Sequence, residues 1–127
     1  MMRTWKGFCI IAAVTLSISG CGSSKTNTSP ANSFTPTLEA STIVNGDTAT
    51  LRITTDLKLS KEHYDQQRKQ GEGHVHVSLD KAEKEIMTTT EKNYEHLSKG
   101  PHELKVSLHN NDHTPYDVSK TITFEVK

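Results

Sequence analysis

Several short stretches in which apolar and polar residues alternate one by one, polar turn-forming runs between them, and about 90 residues to hold them predict an all-β domain. A first strand is expected at about Thr37 to Val44, and Asn45-Gly46-Asp47 supplies a hairpin turn into the next. In that second strand Ala49, Leu51 and Ile53 take one face while Thr50, Arg52 and Thr54 take the other. Val75, Val77 and Leu79 alternate with His74, His76 and Ser78; Leu104, Val106 and Leu108 alternate with Lys105, Ser107 and His109; Ile122, Phe124 and Val126 alternate with Thr121, Thr123 and Glu125. Two weaker strands are expected within residues 84 to 97. The exception is Ser60 to Gln70, a polar stretch that Ser60 would cap and Gly71 would stop, so it is expected as one short helical insertion. Six or seven strands at this spacing predict an immunoglobulin-like β-sandwich, without the cysteine pair and core tryptophan of antibody domains.

The N-terminal segment has a different character. Arg3 and Lys6 precede an apolar stretch that starts at Phe8 and ends in Ile18-Ser19-Gly20-Cys21, the parts of a secretory leader with a small-residue cleavage site. The apolar run is too short to cross ~30 Å of hydrocarbon as a helix. Gly22 to Ser33 is polar, with little apolar surface to offset the entropy of ordering, and is expected as a disordered, flexible tether. The expected organisation is therefore a leader at 1–20, a tether at 21–35 and one β-sandwich domain at 36–127.

The Ile18-Ser19-Gly20-Cys21 run resembles the lipobox of a bacterial lipoprotein. The resemblance implies removal of residues 1–20, lipidation of Cys21, and a protein lipid-anchored to the cell membrane on its extracytoplasmic face. Cleavage would leave 13 Lys plus Arg (15 less Arg3 and Lys6) against 15 Asp plus Glu, a balance that argues against nucleic-acid binding. It would also discard Cys9 and commit Cys21 to lipid, which excludes disulfide and thiol chemistry. No Gly-X-Ser-X-Gly elbow and no assignable carboxylate pair is present, so an enzyme is not expected.

All seven histidines lie between residues 63 and 113. His74 and His76 are two apart on a strand and share a face, opposite the apolar Val75 and Val77. If the strand that carries them is the antiparallel neighbour of the strand ending at His109, all three imidazoles meet at one end of one sheet. The following Asn110-Asn111-Asp112-His113 loop adds a carboxylate and a further imidazole, and His63 approaches from the same end. His96 and His102 belong at the opposite end.

Imidazoles with a carboxylate suit copper(II) or zinc(II), so His74, His76, His109, Asp112 and His113 form the candidate metal-binding set, with His109 and Asp112 as additional or outer groups. A thioether-rich site is not expected, since Met87 is the one methionine left after cleavage. The alternative is that these are solvated polar residues, with Asp112 and its neighbouring asparagines shaping a tight turn.

Gly71-Glu72-Gly73-His74-Val75-His76 together with Asn110-Asn111-Asp112-His113 resembles a group of small, uncharacterised bacterial extracytoplasmic domains, over about Thr37 to Val126. The resemblance implies that His74, His76, Asp112 and His113 belong together, and it implies no reaction. One departure is that Ile86-Met87-Thr88-Thr89-Thr90 is polar where such domains often have an aromatic-rich strand. The architecture and histidine content are also similar, by analogy, to copper-binding sandwiches of the periplasm or cell surface. Two readings follow: a lipid-anchored module that binds or buffers copper or zinc, or a non-catalytic, metal-free interaction module for a protein partner in the cell envelope. A monomer is expected in either case.

Overall fold

The computed structural model describes residues 34–127, and the leader, Cys21 and most of the tether lie outside the described residues. Eight strands follow in order: β1 (Glu39–Asn45), β2 (Thr48–Thr54), β3 (Lys58–Leu59), β4 (Glu72–Leu79), β5 (Glu85–Met87), β6 (Glu91–Tyr94), β7 (Gly100–His109) and β8 (Pro115–Val126). They form two sheets. One has the order β1-β2-β6, and the other runs β3-β4-β7-β8, with β5 also paired to β4. The hairpin expected at Asn45-Gly46-Asp47 is present, with Asn45 opposite Thr48 and Gly46 at φ +62°, a left-handed value that glycine adopts at little cost.

The period-two pattern is realised as expected. Leu51 and Ile53 of one sheet and Val75, Val77, Leu104, Val106 and Leu108 of the other join a single buried core, completed by Leu38, Leu57, Met87 and Tyr94. β4 and β7 are antiparallel neighbours at the centre of the larger sheet, with His74 opposite His109, Val75 opposite Leu108 and His76 opposite Ser107. That register places the outward faces of both strands side by side.

The helical insertion is corrected: residues 60–71 form turns, and no helix occurs among the described residues. The capping interaction itself exists, because the His63 amide donates to Ser60 Oγ at 3.2 Å. What stops a helix is tertiary. Asp65 takes φ +62° and its amide donates 3.0 Å to the carbonyl of Asn111 rather than back along its own segment. The segment also has no apolar stripe with which a helix could pack.

Candidate metal centre

The centre is built where β4 begins and β7 ends. Gly73 allows it: a Cβ there would lie 1.9 Å from the His109 carbonyl oxygen, so only glycine lets the two backbones approach this closely. His74 and His76 then project from β4 on the face away from the core. His74 is nevertheless fully buried, because two other segments cover it. Tyr64, from the 60–71 segment, meets the rings of His74 and His113 edge-on with centroids 5.1 and 4.9 Å away. His113, from the β7–β8 loop, lies with its centroid 4.9 Å from that of His74.

His74, His76 and His113 each offer a ring nitrogen within 4.8 Å of the others. The Nε2 atoms of His74 and His76 are 3.0 Å apart, one N–H donating to the other's lone pair. Two nitrogens on one ion at ~2.0–2.1 Å would have a comparable separation. The Nδ1 atoms of both residues are buried with no hydrogen-bond partner. Burial, reinforced by the neighbouring imidazoles, pushes both His74 and His76 down to about 4, so both rings are neutral at pH 7, the protonation state in which imidazole ligates.

His113 sits at φ +67° in a loop fixed by its own hydrogen bonds: its amide donates to the Asn110 carbonyl at 3.0 Å, and the Asn110 amide donates to Thr114 O at 2.8 Å. Its Nε2 lies 3.2 Å from Asp65 Oδ1. A carboxylate on one ring nitrogen is the usual way a ligating histidine is oriented, and it leaves Nδ1 as the free nitrogen of this ring.

The other residues of the candidate set have different roles. His109 stacks on His76 at a centroid distance of 3.7 Å and an angle of 18°. Both of its ring nitrogens are engaged, Nδ1 with the His113 carbonyl at 3.1 Å and Nε2 with Ser107 Oγ at 3.0 Å. It steadies His76 and the loop. Asp112 is turned away from the imidazoles: its Oδ1 accepts from the Thr114 amide and hydroxyl at 3.1 and 2.5 Å, and its Oδ2 is 3.6 Å from Arg68 Nε. The carboxylate beside the centre is that of Asp65.

His63 joins a separate polar cluster around the buried Glu72, with Nδ1 at 2.6 Å from Oε2 while Lys58 and Lys69 reach Oε1. Lys69 and His63, helped by Lys58, hold the Glu72 carboxyl down at about 2. Tyr116 adds a hydrogen bond to the Glu72 carbonyl at 2.9 Å. This cluster ties the 60–71 segment to the start of β4, and so positions Tyr64. His96 and His102 lie outside the centre, paired with Asp47 and Asp80.

Sequence reasoning missed Tyr64, Asp65 and the structural part of Glu72. The available signal was that Tyr64 is the one aromatic in an otherwise polar insertion, flanked by His63 and Asp65.

No protein-family model and no curated protein matches the sequence. Among solved structures, the fold is similar to the PKD1 domain of Vibrio anguillarum Epp, with a TM-score of 0.51 and 7% sequence identity, over 76% of this chain and 98% of that one. At this identity the similarity concerns the fold alone, and it agrees with an immunoglobulin-like sandwich.

Proposed function

We propose that this protein is a lipid-anchored, extracytoplasmic metal-binding module that captures or buffers copper or zinc through His74, His76 and His113. The observation that carries this reading is the convergence of three ring nitrogens within 4.8 Å around a fully buried His74. The His74 and His76 Nε2 atoms already face each other at 3.0 Å, and a divalent ion between them would replace one shared proton by two coordinate bonds. The donor set suits the borderline ions, zinc(II) and copper(II), and has no thiolate or thioether to favour copper(I). His109 and Asp65 would act one step out, fixing the rings of His76 and His113. Three protein ligands are the complement of an ion that keeps one position open. The anchor is Cys21, on the lipobox-like run before it.

A calorimetric titration of the purified protein with copper(II) and with zinc(II) tests the proposal. The expected result is one site per chain with a dissociation constant below ~10 μM for at least one ion, weakened at least ~100-fold (about 2.7 kcal/mol) by His74→Ala together with His76→Ala. Binding weaker than that, or unchanged in the double variant, would leave the metal-free interaction module as the reading.

A further inference from the structure

The filled centre would be unbalanced in charge and incomplete in coordination. Three neutral imidazoles bring no negative charge to a divalent ion, and they supply three of the four ligands such ions usually take. The side on which the centre opens is defined by His76, because His74 is enclosed while His76 and His109 line a surface groove of about 430 Å³. The same groove is lined by Lys84, Lys105, Ser107 and Ser119. Among the described residues neither Lys84 nor Lys105 is in an ion pair. Asp117 is the one carboxylate among the groove's lining residues. Lys84 is near enough for its charge to act on His76.

Two unpaired ammonium groups and the Ser119 hydroxyl, beside the position left open on the ion, are the chemistry that receives an anion. We propose that the metal centre, on the reading given above, takes a small multivalent oxyanion as its exogenous ligand. One oxygen of the anion replaces water on the ion beside His76, and Lys84 and Lys105 hold its remaining charge in the groove. The protein then takes up metal as a ternary complex with an anionic chelator rather than as the bare aqua ion.

The test loads the purified protein with copper(II) and titrates it with sodium oxalate in one arm and inorganic phosphate in the other, following the copper visible absorption band. The expected result is a saturable spectral shift with one of the two anions, weakened about tenfold in the Lys84→Ala, Lys105→Ala double variant and retained in the corresponding double arginine variant. Copper affinity without anion should not fall in the double alanine variant, since removing two positive charges near the centre cannot weaken a cation's binding, so a loss seen only with the anion is a loss of anion binding. A carboxylate and a phosphate ligand are told apart by which arm responds. The inference is overturned if the double alanine variant binds the anion equally well, if neither anion changes the spectrum, or if oxalate merely strips the copper into solution. Failure of the protein to bind copper or zinc in the first place would instead sink the metal reading, and this inference with it.

Discussion

His102 faces an acceptor on each ring nitrogen: Asp80 Oδ2 lies 2.6 Å from Nδ1 and the Ser98 carbonyl 2.7 Å from Nε2. Both nitrogens must therefore carry protons, which is the imidazolium form. The Ser98 carbonyl and then the Asp80 carboxylate raise its pKa above the usual 6.5. The ring also stacks on Phe124, and Asp80 in turn caps the Glu103 amide at 2.8 Å from a turn where Asp80 and Lys81 both have positive φ. Because the folded-state pKa is raised, the stabilisation is fully present below pH 6.5 and is lost as pH rises through the higher folded value. Thermal melts should thus show a decline in stability on the alkaline side of pH 6.5. His102→Gln should flatten that decline and cost about 2 kcal/mol at pH 6. A second prediction at this scale concerns Tyr64: Tyr64→Ala should uncover His74, weakening metal binding in a titration while leaving the core, and hence far-UV circular dichroism, intact.

At the scale of elements, the start of β4 is the critical piece. Gly73→Ala would drive a methyl group into the His109 carbonyl, and should part β4 from β7 at the pair that holds the imidazoles. The expected cost is about 3 kcal/mol in denaturant unfolding, with a large loss of metal affinity. The strands themselves were legible because β4, β7 and β8 each alternate strictly, and the pairing of His74 with His109 followed from placing β4 and β7 side by side. The 60–71 segment was not legible, because its conformation is set by partners far away in sequence: Asn111 for the Asp65 amide, His113 for the Asp65 carboxylate, Thr114 and Asp112 for Arg68. A reading of local capping finds Ser60 and misses those. For the same reason the sequence pointed to Asp112 as the carboxylate of the centre, when Thr114 and Arg68 occupy it and Asp65 fills the place.

For the whole molecule, the 60–71 segment and the β7–β8 loop cover one face of the larger sheet where the imidazoles meet, and on the metal-binding reading an ion there should couple to the stability of the fold. An ion that binds only the folded state at 100 times its dissociation constant contributes about 2.7 kcal/mol, a rise in melting temperature of roughly 10–20 °C for a domain of this size. Anchoring is tested separately: Cys21→Ser should shift the protein from the membrane to the soluble fraction in a bacterial host, leaving metal binding unchanged. The identity of the three ligands can be read by imidazole-detected ¹⁵N NMR on addition of one equivalent of zinc(II). Ligation by this triad requires large ring-nitrogen shifts for His74, His76 and His113, a smaller one for His109, and none for His63, His96 and His102. Zinc(II) that leaves the first three unmoved, or that shifts only the exposed His96, would contradict it.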